Sequence, residues 1–172
     1  MRRAFLSIVL LLAAVLVAPA SSASAASCAV RWGSLEKSAP GLSQAPVHAV
    51  RTGRHACYDR LVVDVAGDVG GYTVRYVPEV THDGSGTAIP TRGTAALEIT
   101  VNDPGETYAP ADPLELSDVA GYRTFRQVVY AGTFEGYTSV GLGVRARLPF
   151  RVLVLDGPGT SSRLVVDVAH HW

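Results

Sequence analysis

Past residue 26, apolar residues recur at every second position, and no segment sustains the 3.6-residue period of a helix. Alternation with a period of two is the pattern of a strand with one buried face. Leu61, Val63 and Val65 alternate with Arg60, Val62 and Asp64. Tyr72, Val74 and Tyr76 alternate with Thr73 and Arg75, and Leu97, Ile99 and Val101 with Glu98 and Thr100. Phe125, Gln127 and Val129 are set against Arg126, Val128 and Tyr130, and Val140, Leu142 and Val144 against Gly141, Gly143 and Arg145. Residues 47–51, 151–155 and 163–169 complete about eight strands.

The punctuation between these runs is turn chemistry. Asp68–Gly71 reads as a turn, His82-Asp83-Gly84-Ser85-Gly86 as a hairpin tip or loop, and Asp156-Gly157-Pro158-Gly159 as the end of the penultimate strand. A Pro-rich stretch runs from Asn102 to Pro113, and Leu114–Ala120 has room for one helical turn. Short strands separated by Gly/Pro turns predict an all-β fold, a β-sandwich or a small, partly open barrel.

One internal repeat adds a constraint. Arg60-Leu61-Val62-Val63-Asp64-Val65-Ala66 recurs as Arg163-Leu164-Val165-Val166-Asp167-Val168-Ala169. This predicts two strands in equivalent environments, both central to the core. In each, Arg and Asp sit four apart on one face, so pairing of the strands would bring the Arg of one near the Asp of the other. Two solvated polar faces would account for the pattern equally well.

The N-terminus speaks to compartment. Arg2 and Arg3 precede an apolar run from Ala4 to Ala18, then Pro19 and small residues up to Ser27. A positive start, an apolar middle and a small-residue cleavage region predict a signal peptide over residues 1–26 and a single domain over 27–172. The run is shorter than the roughly 20 residues a membrane-spanning helix needs. The two arginines admit either the general secretory or the twin-arginine route. Cleavage takes away two arginines and no acids, so the net charge moves from +0 to about −2, with 13 basic residues against 15 acidic. That balance offers neither a nucleic-acid footprint nor a polybasic membrane patch.

The two cysteines, Cys28 and Cys57, both survive cleavage. In an oxidising compartment an even count reads as one disulfide. Ala25-Ala26-Ser27-Cys28 also has the outline of a bacterial lipobox, so lipidation of Cys28 is the competing reading.

No catalytic constellation stands out. His170 and His171 are adjacent and point to opposite faces of a strand, and no His-x-x-x-His spacing occurs among the five histidines, so no metal site is expected. There is no Gly-x-Ser-x-Gly elbow, and nothing calls for a cofactor. Binding fits the composition better. Arg126, Tyr130, Tyr137, Arg145 and Arg147 are the candidate surface, because phenol rings stack on sugars and guanidinium groups bond hydroxyls, amides and carboxylates. Phe125 and Phe150 are assigned to the core.

Asp59–Val77 (DRLVVDVAGDVGGYTVRYV) and Leu148–Trp172 (LPFRVLVLDGPGTSSRLVVDVAHHW) resemble the AMIN-like domain of secreted actinobacterial proteins. So do Trp32–Lys37, Gly53–Gly67 and Phe125–Val152, and the likeness runs from about Cys28 to Trp172. The chain is more distantly similar to the AMIN domain of periplasmic cell-wall amidases. The resemblance implies a β-sandwich and a non-catalytic role in binding peptidoglycan or another envelope component, at an extracytoplasmic, wall-associated location. A secreted protein-interaction domain, partner or inhibitor of an exported enzyme, is the alternative. A barrel around a small apolar ligand is a third.

Overall fold

The computed structural model describes residues 28–172, so the expected signal peptide lies outside the described residues. The described chain is all β, with eleven strands: β1 (Lys37–Ala39), β2 (Val47–Arg54), β3 (Tyr58–Val65), β4 (Tyr72–Val77), β5 (Val80–Thr81), β6 (Ala88–Ile89), β7 (Ala95–Val101), β8 (Phe125–Phe134), β9 (Tyr137–Val144), β10 (Phe150–Asp156) and β11 (Ser162–Ala169). Eight correspond to the alternating runs. The additional β1, β5 and β6 are two or three residues long, too short to show a period.

The strands form a five-stranded sheet in the order β1-β4-β7-β9-β8, a four-stranded sheet in the order β10-β11-β3-β2, and the small ribbon β5-β6. Every pairing is antiparallel. Neither large sheet closes on itself, so the architecture is a sandwich and not a barrel. The inner faces meet in one core that includes Leu61, Val63, Val74, Leu97, Ile99, Val140, Leu142, Phe125, Phe150, Leu164 and Val166. These are the alternate positions of each strand, as a two-residue period requires.

The repeat lies at the centre of the four-stranded sheet. β3 and β11 are neighbours, and Arg60 stands opposite Asp167 while Asp64 stands opposite Arg163. Arg60 donates two bonds to Asp167, at 2.6 and 2.9 Å. The second cross-strand pair does not form. Asp64 accepts Arg51 of β2 instead, at 2.6 and 2.9 Å, and Arg163 donates to the Asp156 carbonyl.

Two sequence-based assignments are corrected. Phe125 and Gln127 do not share a face: Phe125 enters the main core with Val128, while Val129 and Ala131 pack on the opposite side of the sheet. The cause is a β-bulge between Phe125 and Gln127, where one extra residue, Arg126, breaks the alternation. Leu114–Ala120 forms no helical turn. The Asp112 and Asp118 carboxylates accept the N–H groups of Leu114 and Ala120, and such local bonds compete with a helical ladder.

The sides of the sandwich are closed by irregular chain. Residues 102–124 run along the free edge of β8, with Leu116 N–H donating to the Val128 carbonyl and Tyr130 N–H to the Pro113 carbonyl. The same excursion reaches β2, where Thr52 Oγ1 shares hydrogen bonds with Ser117 and Tyr122. On the other side the N-terminal segment is held by Phe150 N–H on the Gly33 carbonyl and by a disulfide between Cys28 and Cys57. The bridge settles the choice left by the sequence between a disulfide and a lipidated Cys28.

Candidate functional site

The outer face of the five-stranded sheet is half covered and half open. Ribbon β5-β6 lies over one half, where Val80 and Ile89 pack with Val129 and Ala131. Two glycines of β9 permit this approach. A Cβ on Gly141 would fall 2.6 Å from a Val80 methyl, and one on Gly143 would overlap the Arg92 carbonyl oxygen.

Beyond the ribbon the same face is partly open, with Arg75 exposed and Ser139 buried, and its rows follow from the strand register. Arg75 pairs with Glu98 across β4 and β7, donating at 2.9 and 3.2 Å. The next row aligns Thr73, Thr100 and Ser139, with Thr100 and Ser139 sharing a 3.0 Å hydrogen bond. The last is the cross-strand pair Phe134 and Tyr137 at the tip of the β8–β9 hairpin.

That tip is a two-residue turn. Glu135 and Gly136 have φ of 51° and 82°, the left-handed pair that a type I′ turn demands. A tight turn of this type sets its flanking residues directly opposite each other, which brings the two rings together on one face. Phe134 is 50% exposed and Tyr137 42%. Each ring thus keeps about half of its surface open to a ligand.

The loop joining β5 to β6 supplies the opposite wall, and it is the hairpin tip read from the sequence. Asp83 N–H donates to the Ala131 carbonyl at 2.8 Å, at the second bulge of β8, and Gly84 lies against the Phe134 ring. Together these walls bound a cleft of about 430 Å³ lined by Arg75, His82, Asp83, Glu98, Thr100, Phe134, Tyr137 and Ser139. Burial raises the Asp83 pKa and the Glu98 charge adds to the rise, while the Ser139 hydroxyl and His82 oppose it. Asp83 Oδ2 is buried and without a hydrogen-bond partner.

A match to the AMIN-like domain covers residues 45–170. The chain belongs to the AMIN-like domain family. No curated protein matches it. The matched span takes in both copies of the repeat and every residue named in the cleft. The AMIN-like domain marks the chain as a cell-wall-related module, and the disulfide is consistent with an extracytoplasmic location. Among the described residues, no helix is long and apolar enough to cross a membrane, and no group of three or more His, Cys, Asp or Glu side chains is arranged to hold a metal ion.

The five residues nominated from sequence occupy different parts of this AMIN-like domain. Tyr137 lies in the cleft. Tyr130 is half-buried, bonded to Thr133 at 2.8 Å and edge-on to the Tyr108 ring. Arg126 occupies the bulge of β8 and donates to the carbonyls of Tyr122 and Phe125, at 3.3 and 2.7 Å. Arg145 donates to the His170 carbonyl, and Arg147 donates to the Ser34 carbonyl while lying over the Tyr76 ring. Arg145 and Arg126 flank the end of the β8–β9 hairpin remote from Tyr137, roughly 25 Å away at ~3.3 Å per strand residue.

The sequence reading missed Asp83, Arg75, Glu98, Thr100 and Ser139. Alternation does turn Arg75, Glu98 and Thr100 away from the core, but their adjacency depends on a register that no single strand encodes. A second cluster was missed as well: Arg151 lies over Trp32 and Tyr58, and its guanidinium bonds Asp167 at 2.8 Å. There the aromatic faces are already occupied by arginine.

Proposed function

We propose that this protein is an exported, non-catalytic module that binds peptidoglycan through the cleft on the five-stranded sheet. The observation that carries the reading is the open pair Phe134 and Tyr137 beside a row of hydroxyl, carboxylate and guanidinium groups. Aromatic faces take the apolar side of a sugar ring, and the polar row offers directional bonds to its substituents. Family membership and the Cys28–Cys57 bridge support a role at the wall, and residues 1–26 serve as the export signal. Of the nominated residues, Tyr137 makes contact, while Arg126, Tyr130, Arg145 and Arg147 hold the surrounding loops.

The test is co-sedimentation with purified sacculi. The protein should pellet with them and release no soluble fragments. Phe134→Ala and Tyr137→Ala should each weaken pelleting severalfold while the variants remain folded by circular dichroism. Arg126→Ala and Arg145→Ala should lower the melting temperature and leave pelleting intact. If the two aromatic variants pellet like the parent, the cleft is not the contact surface. If the parent fails to pellet, the reading as a protein-interaction domain takes its place.

A further inference from the structure

The cleft narrows the chemistry of its ligand beyond the general class of cell-wall polymer. Asp83 lines the cleft, and its Oδ2 is buried with no hydrogen bond of its own, although the Ser139 hydroxyl acts on the same carboxylate. A buried acceptor left in this state is unfavourable, and a ligand that brings it an N–H or O–H removes that cost on binding. Beside it, Arg75 gives its Nε and one terminal nitrogen to Glu98 Oε2, and its other terminal nitrogen remains available to a ligand carbonyl. An acceptor and a donor flanking one cleft complement a secondary amide, which presents N–H and C=O on opposite edges. The exposed rings of Phe134 and Tyr137 complement the flat apolar face of a pyranose.

We propose that the cleft selects an N-acylated amino sugar, with the ring against Phe134 and Tyr137, the amide N–H on Asp83 Oδ2 and the acyl oxygen toward Arg75. This rests on the reading of the cleft as the peptidoglycan contact and names the part of the polymer recognised: the glycan strand and not the peptide stem. Local charge agrees with a neutral ligand of this kind. Glu98 is neutralised by Arg75, and Asp83 needs a donor rather than a second anion.

The experiment is an NMR titration of the disulfide-bonded protein with three probes: tetra-N-acetylchitotetraose, its fully de-N-acetylated counterpart and a free stem pentapeptide. The N-acetylated tetramer should produce saturable shifts at the amides of Gly84, Tyr137 and Ser139. The de-N-acetylated tetramer should bind at least tenfold more weakly, and the pentapeptide should leave these amides unmoved. Asp83→Ala should weaken the N-acetylated tetramer at least tenfold. Asp83→Asn, which keeps one acceptor oxygen and guards against loss of the loop, should weaken it less. Equal or tighter binding of the de-N-acetylated tetramer, or shifts with the pentapeptide alone, would overturn the assignment. Sacculus binding that persists alongside such a result leaves the peptidoglycan reading standing. Tetramer binding by a protein that ignores sacculi would instead sink that reading.

Discussion

Val62 and Val165, equivalent members of the seven-residue repeat, stand opposite each other as paired residues of β3 and β11. The repeat therefore meets its own second copy around a local twofold centred on that pair. Each Leu of the repeat takes the same role in the core, Leu61 from one strand and Leu164 from the other, both fully buried. Leu61→Ala and Leu164→Ala should each cost about 2–5 kcal/mol, within roughly 1 kcal/mol of each other. Urea unfolding monitored by circular dichroism checks this. A large cost at one site only would show that the environments are not equivalent.

The polar members of the repeat have diverged. Asp167 is 0% exposed and gathers Arg60 and Arg151, whereas Asp64 keeps some exposure and accepts a guanidinium that is itself 55% exposed. Removing a buried carboxylate strands two partly buried cations, so Asp167→Ala should destabilise by about 3 kcal/mol. Arg51→Ala breaks only the exposed pair and should cost less than about 1 kcal/mol. Equal losses in thermal melts of the two variants would contradict this ordering.

The Cys28–Cys57 bridge closes a separation of 29 residues. In the chain-entropy model such a loop is worth roughly 3–4 kcal/mol. The Cys28→Ser/Cys57→Ser double variant should unfold at correspondingly lower denaturant. Mass spectrometry of the parent should find about 2 Da less than the reduced chain, as loss of two hydrogens requires. An intact mass equal to that of the reduced chain would remove the bridge from the account.

Asp103 carries a pH signature. Burial raises its pKa above the ordinary 3.8, with bonds from the Gly70 N–H and the Ser43 hydroxyl opposing the rise. A carboxyl whose folded pKa is raised holds its proton more tightly in the native state. Its contribution to stability is therefore fully present below the unfolded value and is lost as pH rises through the folded one. Relative to Asp103→Asn, the parent should lose stability as pH rises from below the ordinary value of 3.8 to above it. A difference that stays flat or grows across that range would show that the folded carboxyl is not raised.

The eight long strands could be read from single segments because each carries its own period over at least five residues. The inner pairing of β3 and β11 was half legible: the repeat places Arg and Asp four apart in both copies, which fits paired strands and two solvated faces equally well, and only the antiparallel register decides between them. What escaped were the features set by neighbours. The bulge at Arg126 is invisible in a run of residues that can alternate either way. The cleft depends on Asp83 arriving from a loop, on Glu98 lying beside Arg75, and on Gly141 and Gly143 admitting a ribbon over half the sheet. Tyr137 was nominated for its aromatic ring, whereas its partner Phe134 takes its place from turn geometry.

The two ends of the described chain meet. His171 Nε2 lies 3.2 Å from the Cys28 carbonyl, and the Trp172 indole donates to the Arg147 carbonyl. Cys57, one residue before β3, is bonded from His170 at the same corner. This corner adjoins Arg145, at the end of the β8–β9 hairpin away from Phe134 and Tyr137. A surface anchor or fused partner joined at either terminus would therefore hold the molecule by its base and point the aromatic tip outward, leaving the proposed contact face unscreened.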